Sequence, residues 1–246
     1  MRNSFFSFKQ FTVQQQNCAM KVCTDACLFG AIVAKHFETT AVNNILDIGT
    51  GTGLLSLMLA QKINAVIDAV EIDEHAAMQA AYNFQQSPWE ERLHLHNTTI
   101  QHFKSLHKYD LIICNPPFYE NDLKSDNEKR KIALHSSNLS FEELISTAKK
   151  HISKSGTFVV MLPYHRVFNF EKLTSTNNFF INKRFLIKQT PQHNFFRTVL
   201  FFSFKENKRM QEEIIIQNMD KKYSTEFSEL LYDYYLNLSW SGKKLL

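Results

Sequence analysis

The chain is sparing with the residues that punctuate a fold. Of 246 residues, 6 are glycine, 5 proline, 4 cysteine and 2 tryptophan. Four cysteines in a chain of this length exclude a disulfide framework. Cys18, Cys23 and Cys27 follow a C-x4-C-x3-C spacing that matches no zinc pattern, so free thiols and no metal are expected. No apolar run approaches the ~18 residues that a membrane span needs. The stretch Met1 to Lys9 has neither a continuous apolar region nor a small-residue cleavage site. The expectation is a cytoplasmic protein without a membrane partner, and a monomer. Linker-like Pro/Gly/Ser stretches, internal repeats and low-complexity segments are also missing. One domain over 1–246 follows: an amino-terminal extension and first helix over 1–42, a core sheet over 43–205, and a helical tail over 206–246. A net charge of +4 permits a nucleic-acid partner without demanding one.

What is present is phenylalanine (22) and a hydrophobic content of 44%, enough for a real core. Residues 1–23 mix aromatic and polar types without a clear period. Thr24-Asp25 opens an amphipathic helix, with Asp25 as its cap and Leu28, Phe29, Ile32, Val33 and Phe37 at helical spacing. Strands are expected at 43–48, 66–73, 93–97, 111–114, 156–163, 179–188 and 198–205, and helices at 54–62, 74–86, 140–153 and 223–238. Ser140-Phe-Glu-Glu143 has capping-box spacing. Strand and helix alternating at this spacing predict an α/β fold, a doubly wound, mostly parallel seven-stranded sheet. Its last two strands form an antiparallel hairpin at one edge.

Three of the six glycines fall in Asp47-Ile-Gly49-Thr-Gly51-Thr-Gly53, between a strand and a helix. Glycine there permits positive φ and close approach of a ligand, and the helix start offers free N–H groups. Glu71 ends the next strand 22 residues beyond Gly49, where a carboxylate can accept both hydroxyls of a ribose. Dinucleotide sites share that acid, but this loop reads G-x-G-x-G rather than G-x-G-x-x-G. Asp47 would repel a pyrophosphate and suit a cation. A ligand with a ribose, an ammonium group and no phosphate is S-adenosyl-L-methionine. Farther on, the apolar run Leu111 to Cys114 stops at Asn115-Pro116-Pro117-Phe118-Tyr119. Proline supplies no N–H and turns the chain out of the strand. An amide, carbonyls held by proline and an aromatic ring at a strand's carboxyl end suit a planar, amine-bearing substrate.

Asp47-x-Gly-x-Gly-x-Gly53, Glu71 and Asn115-Pro-Pro-Phe118, in that order, resemble the class I methyltransferases that modify exocyclic amines. Together with Phe8-Lys-Gln-Phe11, Cys18-Ala-Met-Lys-Val22, Thr24-Asp25 and Tyr234-Tyr-Leu-Asn-Leu238, they resemble the bacterial tRNA1(Val) adenine-37 N6-methyltransferase family over nearly the whole chain. The resemblance implies S-adenosylmethionine-dependent methylation of adenine N6 in tRNA. It implies catalysis by Asn115, Pro116, Pro117 and Phe118. Lys21, Thr24, Asp47, Gly49, Gly51, Gly53, Glu71, Ile72, Thr98 and Asn115 would hold the cofactor. Tyr119, Lys124, Lys129, Arg130 and Lys131 would meet the RNA. Asn115 and the Pro116 carbonyl would accept the two N–H groups of the target amine, and Phe118 would stack on the base.

Two departures are visible. Where such families often place an acid to bind the cofactor's adenine, this chain reads Asn97-Thr98-Thr99, so a Thr98 hydroxyl or backbone group takes that place. Cys23 stands where glycine is expected. The alternatives are a methyltransferase acting on a protein glutamine amide, a guanine-N2 methyltransferase of ribosomal RNA, and a cofactor-binding RNA partner without turnover. His94 and His96 lie two apart on one strand, with no third ligand converging on them in the sequence.

Overall fold

The computed structural model describes residues 3–16, 18, 20–116 and 139–238. Its elements are β1 (Phe5–Ser7), β2 (Thr12–Gln14), α1 (Thr24–Phe37), β3 (Asn44–Ile48), α2 (Leu54–Ala60), β4 (Val66–Glu71), α3 (Glu74–Gln85), β5 (Leu93–Asn97) and β6 (Tyr109–Cys114). Beyond residue 138 come α4 (Phe141–His151), β7 (Ile152–Pro163), α5 (Val167–Ser175), β8 (Phe180–Lys188), β9 (Phe195–Ser203), β10 (Met210–Ile215) and α6 (Thr225–Leu231).

The main sheet has eight strands in the order β10-β8-β9-β7-β6-β3-β4-β5, with β9 alone running against the rest. Alternation along each strand sorts its side chains to two faces. Ile45, Ile67, Leu111, Val159 and Val199 face α1, α2, α3 and α6. Leu46, Val70, Ile112, Val160 and Leu200 face α4 and α5. Strands buried on both faces read as continuous apolar runs, which is why β3 and β6 are plain in the sequence.

The chain walks outward from β3 through β4 to β5, then returns to the other side of β3 with β6 and β7. That reversal opens a crevice between the carboxyl ends of β3 and β6, where ligands bind in open α/β sheets. In register, Ile48 lies beside Cys114, so Gly49 and Asn115 leave neighbouring strands at one level.

Several elements differ from expectation. An eighth strand, β10, forms the true edge, so the β8–β9 hairpin lies inside it, with β9 inserted between β7 and β8. Its exposed Met210-Gln-Glu-Glu213 is the charged character by which edge strands resist further pairing, and that character hides the strand signal. The amino-terminal segment folds as the β1–β2 hairpin, whose three-residue strands are too short to show a period. Asp25 is not the cap of α1. Cys23 takes that position without a side-chain bond, and Asp25 instead pairs with Arg197 on β9 at 2.9 Å. Helix α6 ends at Leu231 because Tyr235 bridges Phe8 and the Lys9 N–H bonds the Tyr234 carbonyl. The capping box at Ser140 and Glu143 forms as read, and the Ser140 N–H, helped by the Ser140 hydroxyl, holds the Glu143 carboxyl below its usual range. Among the described residues, no helix is long and apolar enough to cross a membrane.

Candidate functional site

The turn after β3 is built by its glycines. Gly49, Gly51 and Gly53 hold φ of 72°, 58° and 81°, a region that costs other residues about 1–2 kcal/mol. A Cβ on Gly53 would meet the Phe84 ring at 2.5 Å, so that glycine also serves helix packing. A Cβ on Gly49 or Gly51 would meet nothing within 4 Å among the described residues: there the backbone borders space they leave open. Asp47 lies beneath the turn, fully buried. Its Oδ2 accepts the Thr50 and Ser56 hydroxyls at 2.6 and 2.7 Å, while Oδ1 is buried without a hydrogen-bond partner among the described residues. Burial pushes its carboxyl up to about 6; the two hydroxyls oppose the shift and nearby Glu71 adds to it. Asp47 therefore organises the loop from below through Thr50 and Ser56.

Glu71, at the end of β4, is 8% exposed. Its Oε2 accepts the Gly51 N–H at 2.8 Å and its Oε1 the Asp73 N–H at 2.9 Å. The two amides fix the carboxylate beside the glycine turn, with lone pairs left for hydroxyl donors. The Asn97 amide bonds the Glu71 carbonyl at 2.9 Å and the Ile72 carbonyl at 3.4 Å, tying the ends of β4 and β5 together. Ile72 itself is exposed at the rim. The Thr98 N–H already donates to the Glu71 and His96 carbonyls. Of the Thr98 groups expected to replace the missing acid, the amide is thus committed to the ends of β4 and β5.

Burial pushes the Cys18 thiol up to about 11, with Glu71 and Asp73 adding and Lys21 opposing. Asp25, at the start of α1, is bonded to Arg197 on β9. Lys21 folds back onto the Gln15 carbonyl, and the buried Gln15 side chain accepts from the Val22 N–H at 2.7 Å. Thr24, half-buried, opens α1 at the β9 end.

Asn83 was not singled out by the sequence reading. It is 1% exposed on α3, takes the Gln14 N–H, and donates to the Gln14 and Thr52 carbonyls at 2.9 and 2.8 Å. One side chain thereby ties the hairpin to the glycine turn. Its signal was available: an amide within the stripe Ala76, Ala80, Phe84 that α3 buries.

Asn115 follows β6, half-buried, and Pro116 is buried behind it. Cys114, just before, feels the Asp47 carboxylate, and burial raises its thiol well above the usual range. Asn115 thus stands beside the glycine turn, across the switch-point crevice. Pro117, Phe118, Tyr119, Lys124, Lys129, Arg130 and Lys131 lie outside the described residues. His96 pairs with Asp68 at 2.6 Å, and Asp68 also accepts the Tyr109 hydroxyl at 2.7 Å. Among the described residues, no three metal-ligating side chains gather.

An acid held by two backbone amides, open glycine backbone and a buried carboxylate oxygen without a partner among the described residues fit S-adenosylmethionine better than a phosphate-bearing nucleotide. Comparison with known proteins agrees with that fit. The profile of the methyltransferase small domain matches residues 29–188. Among solved structures, a predicted O-methyltransferase from Agrobacterium tumefaciens aligns with a TM-score of 0.64 at 15% identity, covering 85% of this chain and 95% of that one. A Listeria monocytogenes protein assigned to the class I S-adenosylmethionine-dependent methyltransferases aligns at 0.58 and 12% identity, covering 89% and 71%. Curated tRNA1(Val) (adenine(37)-N6)-methyltransferases are far more similar in sequence. That of Cytophaga hutchinsonii is 47% identical over 244 residues, covering 97% of this chain and 100% of its own. That of Dyadobacter fermentans is 40% identical over 240 residues, covering 96% and 98%. The chain belongs to the methyltransferase small-domain family and, within it, to the tRNA1(Val) (adenine(37)-N6)-methyltransferase family.

Proposed function

We propose that this protein methylates N6 of an adenine in tRNA with S-adenosylmethionine as donor, the adenine being position 37 of tRNA1(Val), as the names of its curated relatives state for them. The observation that carries the reading is local: Asn115 and Pro116 leave β6 level with Gly49, one strand from a glycine turn that borders space the described residues leave open.

The bound donor supplies an electrophilic methyl on a sulfonium. Glu71, oriented by the Gly51 and Asp73 amides, would accept the ribose hydroxyls. The Gly49–Gly53 backbone would receive the ammonium-bearing chain, whose charge Asp47 would favour. The Thr98 hydroxyl would accept from the cofactor's adenine amine. On the other wall, the Asn115 side-chain oxygen and the Pro116 carbonyl accept the two N–H groups of the target amine. An adenine amine is a weak nucleophile because its lone pair is delocalised into the ring. Two acceptors placed on its hydrogens favour the pyramidal form with the lone pair free. No strong base is required first; holding the amine in line is the main contribution. Phe118 is assigned to stacking on the target base, worth ~1–3 kcal/mol. Tyr119, Lys124, Lys129, Arg130 and Lys131 are assigned to the RNA around it.

The test is labelled methyl transfer to total tRNA from a strain lacking this protein, followed by nucleoside analysis. N6-methyladenosine is expected. Finding 2-methylguanosine, or label in protein alone, would replace this reading with one of its rivals.

A further inference from the structure

The end of β7 stands above the crevice. Cys114 registers with Val160, three residues before Pro163, so β7 projects about 10 Å past β6. Pro163 in turn registers with Arg197 on β9, and Phe195 with Lys188 on β8. These three strand ends make a wall beside Asn115, on the side away from Glu71. Its crest carries Tyr164, 45% exposed in the 3-10 turn Tyr164–Arg166, packed on Phe195 with ring centroids 5.4 Å apart. Lys188 sits over the Phe195 ring at 4.3 Å. Arg166 closes the same turn as Tyr164. The nearby carboxylates Asp25 and Glu213 face Arg197 and Lys188, at 2.9 and 3.5 Å. The turn joining β8 to β9, Gln189 to Asn194, adds uncharged polar groups, with Thr190 bonded to His193 at 2.6 Å.

An exposed aromatic is ordinary when it stands alone. This one lies on the carboxyl edge, in a ring pair backed by a cation and flanked by an arginine. That combination suits an unstacked base with its phosphate: every base has a face to stack, and the cations answer the backbone charge. We infer that Tyr164 and Phe195, with Lys188 and Arg166, form a stacking platform for a nucleotide of the tRNA neighbouring the target adenine. The inference rests on the reading above and extends it to RNA recognition by a surface outside the glycine turn and the Asn115 corner. The platform holds the strand next to the target while Asn115 holds the target amine.

The experiment compares the full-length wild type with Tyr164→Ala, Phe195→Ala and Tyr164→Trp, and with Tyr82→Ala as a control for an exposed aromatic on α3. Four quantities are read: direct tRNA binding, KM for tRNA, cofactor Kd and melting temperature. The two platform alanine variants should weaken tRNA binding and raise KM by about 5- to 100-fold. Their cofactor Kd and melting temperature should stay at wild-type values. Tyr164→Trp should bind tRNA as the wild type does, since it keeps a stacking face. Unchanged tRNA binding in both alanine variants would overturn the platform. So would a parallel loss of cofactor affinity or melting temperature, or a tryptophan variant as impaired as alanine. Failure of the wild type to form N6-methyladenosine would sink the functional reading, and direct tRNA binding would still decide the platform on its own.

Discussion

The two walls of the crevice are built on opposite plans. On the β3–β4–β5 side, polar groups are held before any ligand arrives: Glu71 by two amides, Asp47 by two hydroxyls, the Ile72 carbonyl by Asn97. On the β6–β7–β9 side, the crest offers the exposed Tyr164 ring on half-buried Phe195, with the Lys188 cation over that second ring and Asn115 at its foot. A small cofactor needs fixed acceptors. A large RNA brings its own shape and needs faces and charges. The difference predicts that substitutions on the first wall show up in cofactor affinity, and those on the second in turnover or RNA affinity.

The largest expected effect breaks that comparison at its seam. Asn115→Ala should lower kcat by about 10²–10³-fold or more, as losing an oriented polar group at the reacting atoms does, while cofactor Kd measured by titration stays near wild type. Full activity would remove Asn115 from the assigned role. Glu71→Ala should show the reverse: cofactor Kd rising about 10- to 100-fold with the loss of charge-assisted bonds. An unchanged Kd would take Glu71 out of the site.

Smaller effects sharpen the contrast. Asn83→Ala strands the Gln14 and Thr52 backbone groups and should cost about 1–3 kcal/mol in denaturant unfolding. It should also weaken the cofactor several-fold, because the hairpin loses its tie to the glycine turn; loss of stability without loss of affinity would make Asn83 structural only. Asp47 carries a pH signature. Its folded value of about 6 lies above the unfolded range near ~4. The native state therefore binds the proton more tightly, and the stability linked to Asp47 is lost as pH rises from about 4 to about 6. Cofactor affinity should run the other way, rising through about 6 as the carboxylate ionises beneath a cation. In Asp47→Asn both slopes should flatten; persistence of the affinity slope would point to another group.

What the sequence revealed follows from these plans. β3 and β6 are buried on both faces and announce themselves as apolar runs, and glycine used so rarely marks its turn. Glu71 was legible through its spacing from that turn. Asn83 was harder to read because its partners lie at Gln14 and Thr52, far away in sequence and contacted through backbone atoms. The Asp25–Arg197 pair joins residues 172 apart, so local spacing suggested a helix cap instead. β10 escaped because an edge strand needs charge where a central strand needs Val or Ile. The hairpin and the tail fold by pairing with each other at Phe8 and Tyr235, which neither segment shows alone.

The most direct test of the central claim, an amine gripped by Asn115 opposite a donor held at Glu71, is single-turnover methyl transfer to tRNA1(Val) transcripts carrying either adenine or guanine at position 37. The account predicts N6-methyladenosine at position 37 from the first transcript and no transfer to the second. Label of equal yield in the guanine transcript would contradict it.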